Sequence, residues 1–110
     1  MANPPLTEAV YYILLSLTKP MHGYGIMQNV QDLSGGRVYL AAGTLYGALG
    51  SLIDKGYIRA LPEERGSRKK QYLITAEGYK VLRSELLRLK ELCKNGETIL
   101  GDDENDQNGI

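Results

Sequence analysis

The sequence contains no tryptophan and no phenylalanine, and only one cysteine and one histidine. No apolar run approaches the roughly 20 residues that a bilayer span needs. The single thiol, Cys93, excludes an internal disulfide framework and a CxxC zinc site. The single imidazole, His22, leaves little for metal or acid–base chemistry, so neither a metal nor a cofactor is expected. A nucleophile–base pair, a phosphate-binding glycine loop ahead of a helix and a metal-ligand cluster are all missing, which argues against an enzyme. The N-terminal Met1-Ala2-Asn3-Pro4-Pro5 lacks the basic start and the cleavage site of a secretory signal. A reducing cytoplasm is the expected setting.

What is present is an apolar fraction of 43% in 110 residues, enough for one domain with a real core. Net charge is also missing, with 13 basic residues against 13 acidic. Its distribution matters more than its sum. Residues 96–110 hold five acids (Glu97, Asp102, Asp103, Glu104 and Asp106) and no Lys or Arg. The remaining 13 basic and 8 acidic residues leave a body of +5 over residues 1–95. An acidic tail thus masks a basic domain. Within the body, Arg65, Arg68, Lys69 and Lys70 fall in six residues with no acid among them.

Hydrophobic spacing predicts a first helix over 6–18, with Thr7 as N-cap and Val10, Ile13, Leu14 and Leu17 inward. Tyr11 and Tyr12 sit off that stripe and read as partial core with the hydroxyl at the surface. Thr18-Lys19-Pro20 ends the helix. After a turn at Met21-His22-Gly23, a second helix is expected over 24–33, with Ile26, Met27, Val30 and Leu33 on its apolar face. His22 reads as a turn residue rather than a ligand. Gly35-Gly36 stops this helix, and an extended piece over 37–40 leads to a third helix from Ala41 or Ala42 to Lys55. Leu45, Leu49, Leu52 and Ile53 should face inward there, with Gly56 as a left-handed C-cap. Two β-like runs, 57–61 and 71–75, bracket a polar loop and read as an antiparallel hairpin. A last helix starts after Thr75 and ends at Asn95-Gly96. Tyr79, Leu82, Leu86, Leu89 and Cys93 step through it by 3, 4, 3 and 4. Cys93 continues this seam and reads as a buried small hydrophobe.

Three helices, a hairpin with a basic tip and a long helix form the order of a winged helix-turn-helix. The fold class is mainly α with a small β-hairpin and a C-terminal dimerisation helix. The expected organisation is a DNA-binding unit over 1–74, a dimerisation helix over 75–96 and a disordered acidic tail over 97–110. A third helix of this kind presents its N-terminal end and one face to the major groove. Its outward residues are small or hydroxylic: Gly43, Thr44, Gly47, Ala48 and Ser51. Thr44 and Tyr46 can bond phosphates or touch thymine methyls, although Tyr46 reads equally well as core. The tip residues Arg65, Arg68, Lys69 and Lys70 would neutralise phosphates. Leu82, Leu86, Leu89 and Cys93 offer one apolar side for a partner, while Val81, Leu87 and Leu92 add a second. A two-fold homodimer on a pseudo-palindromic double-stranded operator follows. The competing reading is a winged-helix module that docks a protein through this terminal seam.

His22-Gly23-Tyr24-Gly25-Ile26, Gly43-Thr44-Leu45-Tyr46-Gly47-Ala48-Leu49, Leu52-Ile53-Asp54-Lys55-Gly56-Tyr57-Ile58 and Tyr72-Leu73-Ile74-Thr75-Ala76-Glu77-Gly78 together resemble the PadR family of bacterial transcriptional regulators. The resemblance covers residues 6–95. It implies a winged helix-turn-helix dimer, usually a repressor, joined through the C-terminal helix with help from the first. It also implies Tyr24, Thr44 and Tyr46 at the DNA face, with Arg68 and Lys69 on phosphates. In many members a phenolic or drug-like cationic effector binds near the dimer interface and releases DNA. Two departures stand out. Gly47 replaces a frequent proline, and Gly50-Ser51 replaces a frequent basic pair. With no tryptophan, an effector pocket would fall to tyrosines such as Tyr11 or Tyr12. The two glycines inside one helix signal either close backbone approach or a weak helix.

Overall fold

The computed structural model describes residues 4–63 and 69–101. Its elements run α1 (Glu8–Ser16), β1 (Met21–His22), α2 (Gly23–Leu33), α3 (Ala42–Asp54), β2 (Ile58–Ala60), β3 (Gln71–Ile74) and α4 (Ala76–Leu100). All four helices and the hairpin strands appear where the spacing predicts them. Thr7 caps α1, its hydroxyl accepting from the Val10 amide at 3.1 Å. Gly35, Gly36 and Gly56 take the positive φ values (63°, 84° and 79°) that end α2 and α3.

Four features differ from expectation. The first is a third strand. Met21 pairs with Tyr72 and His22 with Gln71, so the sheet order is β1-β3-β2. Two residues are too few for any periodicity to announce them. The second is the run of α4 straight through Asn95-Gly96 to Leu100. Gly96 keeps a helical backbone, and the positive φ (81°) falls at Gly101. The Thr98 hydroxyl donates to the Lys94 carbonyl across this turn at 2.9 Å. The boundary expected at 96/97 therefore lies inside a helix. The third is that Ile53 and Leu33 are exposed, as each sits at the flank of its helix stripe rather than its centre. The fourth is Cys93, which is exposed because the final turns of α4 run beyond the domain.

The core gathers Ile13, Leu14 and Leu17 of α1 and its C-cap with Ile26 and Val30 of α2, and Leu45, Leu49 and Leu52 of α3. Leu40, Ile58, Tyr72, Ile74 and Leu82 complete it. Asn29 donates to the Ser16 hydroxyl at 2.8 Å, and Ser16 donates to the Tyr12 carbonyl at 2.8 Å, so α1 and α2 are tied by a satisfied polar bridge. Ser34 holds the α2–α3 connection by accepting from the Val38 amide at 2.9 Å.

The sheet and α4 meet in a compact joint. The Thr75 amide donates to the Tyr57 carbonyl (3.0 Å), its hydroxyl to the Gly56 carbonyl (2.6 Å), and the same hydroxyl caps α4 by accepting from the Gly78 amide (3.1 Å). The Tyr57 carbonyl also packs against the Cα of Gly78, where any Cβ would collide with it. At the other end of the chain Glu85, 5% exposed on α4, accepts from the Leu6 amide at 3.0 Å and from Arg88 twice at 2.7 Å. The Arg88 guanidinium, aided by the Leu6 amide, holds the Glu85 carboxyl below its ordinary value against the opposing effect of burial.

Two expectations follow. Gly78→Ala should destabilise severely, because the clash is with backbone, whereas Gly47→Ala should stabilise by roughly 1 kcal/mol, since nothing lies within 4 Å of its position. Urea denaturation of both variants checks the contrast. Glu85→Ala should destabilise by about 1–3 kcal/mol at neutral pH by orphaning the Leu6 amide and Arg88. A carboxyl with a lowered folded pKa stabilises above its unfolded value and loses that contribution as pH falls through the folded one. The gap between wild type and Glu85→Ala should therefore close progressively below about pH 4.3, as followed by denaturation at pH 7 and pH 3.

Candidate nucleic-acid interface

The site is built where α2, α3 and the wing strands converge. His22 N-caps α2, its Nδ1 accepting from the Gly25 amide at 3.2 Å. His22 is thus more than a plain turn residue: it satisfies an orphan amide of the first turn. Gly23 follows it and is buried under Tyr46 of α3; a Cβ at Gly23 would meet the Tyr46 hydroxyl and ring carbon Cζ. The HGYG sequence therefore does two jobs, capping α2 and letting the third helix close on its start.

Tyr46 is 52% exposed and so is neither core nor wholly free. The hydroxyl end of its ring lies against Gly23 of α2. It also lines a cleft of about 270 Å³ together with His22, Gly23, Tyr24, Lys69, Lys70 and Tyr72. The antiparallel register Ala60↔Tyr72 and Met21↔Tyr72 carries Lys69 and Lys70 from the wing to this cleft. The structure thus brings together Tyr24, Tyr46, Lys69 and Lys70. Arg65 and Arg68 lie outside the described residues.

Tyr72 is the member that sequence reasoning missed. It stands in the second β-like run and is only 7% exposed, yet it also lines the cleft. Burial chiefly, with Tyr46 nearby as a smaller cause, pushes its phenol above the usual tyrosine value. It therefore keeps its proton at neutral pH and remains a hydrogen-bond donor. Central position on a three-stranded sheet was the missing signal, and that required knowing β1.

The remaining α3 residues spread over its open face. Gly43, Thr44, Gly47, Gly50 and Ser51 are exposed, and a Cβ at any of the three glycines would meet nothing within 4 Å. Ser51 is separate from the cleft. It borders a hollow shared with Pro5, Leu6, Lys55 and Tyr57. Arg37, in the α2–α3 connection, is ion-paired with Glu8 of α1.

On the opposite side, the seam residues divide. Leu82 is buried in the protomer's own core, whereas Leu86, Leu89 and Cys93 are exposed, together with Leu87, Leu92, Ile99 and Leu100. Tyr11 and Tyr12, their rings 6.1 Å apart and tilted by 59°, are half-buried. They border a hollow of about 320 Å³ between α1 and α4, with Leu6, Glu85 and Leu89. Among the described residues no helix is long and apolar enough to cross a membrane.

A helix-turn-helix (α2–α3) followed by an antiparallel wing defines a winged helix-turn-helix protein. The sequence profile of the PadR-like family of transcriptional regulators matches residues 12–84, and the chain belongs to that family. Among solved structures, a transcriptional regulator from Clostridium thermocellum is similar with a TM-score of 0.67 at 26% identity, covering 86% of this chain and 92% of its own. A PadR family regulator from Eggerthella lenta gives a TM-score of 0.68 at 27% identity, covering 86% of this chain and 82% of its own. Bacillus subtilis PadR in complex with operator DNA shares the fold at a TM-score of 0.59 and 24% identity, over 71% of this chain and 45% of its own. An uncharacterized 37.1 kDa protein in a transposon of Streptomyces fradiae is 41% identical over 79 residues, 71% of this chain. The chain spans 22% of that relative's length.

Proposed function

We propose that this chain binds operator DNA as a homodimer and represses transcription, and that a small-molecule effector releases it. Residues 1–74 read the DNA and α4 pairs the two copies. The observation that carries the reading is the convergence of Tyr24, Tyr46, Lys69 and Lys70 on one cleft beside the open face of α3. An anion at that place meets a cleft lined by two lysines and three tyrosines. A duplex whose major groove receives α3 brings a phosphate backbone across the same region. The +5 body supports this electrostatically, and Arg65 and Arg68 extend the cationic loop in sequence. The complex of Bacillus subtilis PadR with operator DNA supports it by family.

The exposed leucines of α4 support pairing. An isolated helix with an unpartnered apolar seam is marginal in water, and α4 carries Leu86, Leu89 and Leu92 beyond its contact with the core. The hollow bordered by Tyr11 and Tyr12 abuts Leu89 of this seam, so a planar effector there would sit beside the dimer contact. The carboxylates around it are already engaged, Glu8 by Arg37 and Glu85 by Arg88, which favours a neutral phenolic molecule over a cation.

Gel shifts on DNA from the gene's own promoter over a salt series test the DNA reading. Lys69→Ala with Lys70→Ala should weaken binding to all sequences and lower the slope of log affinity against log salt by up to about 2. A flat salt response in the wild type overturns the reading. Leu86→Glu with Leu89→Glu should convert a dimer to a folded monomer in analytical ultracentrifugation and abolish tight operator binding. A wild-type chain that sediments as a monomer at micromolar concentration overturns the pairing.

A further inference from the structure

Reading a base pair from the major groove needs particular chemistry. Guanine is read by Arg or Lys on O6 and N7, adenine by the paired amide groups of Asn or Gln, and cytosine by a carboxylate on its amine. Thymine alone presents a methyl group, which small apolar side chains contact. The open face of α3 can be inspected against this code. From Ala41 to Ile53 the sequence contains no Arg, Lys, Asn, Gln, Asp or Glu. Its exposed N-terminal residues are Ala41, Ala42, Gly43 and Thr44. Arg37, the cation that precedes the helix, is held by Glu8 on α1. Gln28 and Gln31 are exposed but belong to α2, the helix that crosses the backbone in this fold. Lys69 and Lys70 are on the wing side, in the cleft beyond Tyr46. Tyr46 itself is seated against Gly23. The reading end of α3 therefore holds methyl groups and one hydroxyl.

We infer that α3 distinguishes its operator by the C5-methyl groups of thymine, contacted by Ala41, Ala42 and the Thr44 methyl, and not by guanine edges. The inference rests on the DNA-binding reading above and deepens it, since it names the base chemistry that the site selects. Phosphate contacts from the cleft supply affinity without sequence information, and the methyl contacts supply register.

The test uses the full chain and duplexes that it enriches from a random pool. In an enriched duplex, each half-site thymine is replaced by uracil, which removes the methyl and leaves pairing intact. Each half-site guanine is replaced by 7-deazaguanine, which removes the N7 acceptor. Uracil at contacted positions should weaken binding about fourfold each, the equivalent of roughly 0.8 kcal/mol per buried methyl, and 7-deazaguanine should change it less than twofold. Thr44→Ser should erase the thymine–uracil difference at one position per half-site, and Thr44→Val should retain it. Weakening by 7-deazaguanine with uracil neutral overturns the inference while leaving DNA binding intact. Neutrality of both substitutions overturns it equally, in favour of shape alone. A protein that enriches no duplex and shifts none at low salt overturns the DNA-binding reading itself.

Discussion

The contact of the Tyr57 carbonyl with the Cα of Gly78 fixes the geometry on which everything else depends. Tyr57 leaves α3 and begins the wing; Gly78 lies in the first turn of α4. One Thr75 side chain bonds on both sides of this contact, to Gly56 and to the start of α4. Because the approach is between backbones, it has little room to relax, and the direction of α4 is set relative to α3. The terminal helix and α3 are thereby coupled through a few rigid bonds rather than through a flexible linker.

A second constraint acts at the start of α2. His22 satisfies the Gly25 amide, and Gly23 leaves space for Tyr46. The same four residues thus determine the helix start, the angle at which α3 lies on α2, and the wall of the cationic cleft. It is a dense use of sequence. It also explains why glycine, ordinarily unfavourable in a helix, stands there.

The helices, the hairpin and the left-handed stops at Gly35, Gly36 and Gly56 were legible because each leaves a local mark in periodicity or backbone chemistry. Strand β1 was not, since two residues carry no period and its pairing with Tyr72 is made across 51 positions of sequence. The end of α4 is not legible, because Asn95-Gly96 has stop chemistry, yet the turn is continued by Thr98 and closed at Gly101. Of the candidate site, Tyr24, Tyr46, Lys69 and Lys70 are legible in sequence, but their shared cleft is not, as it depends on β3 lying between β1 and β2. Ser51 is exposed on the same helix and borders a separate hollow. Leu82 shares the heptad spacing of the exposed seam, yet the protomer's own core claims it.

The uninterrupted course of α4 has a mechanical consequence. Its 25 residues make a rod of about 37 Å, clamped at one end and projecting clear of the domain at the other. Rotation by a few degrees near the projecting tip moves the clamped end, and all that it carries, by a couple of ångströms. Whatever grips the projecting end therefore acts on the recognition helix through a lever, well removed from the face of α3.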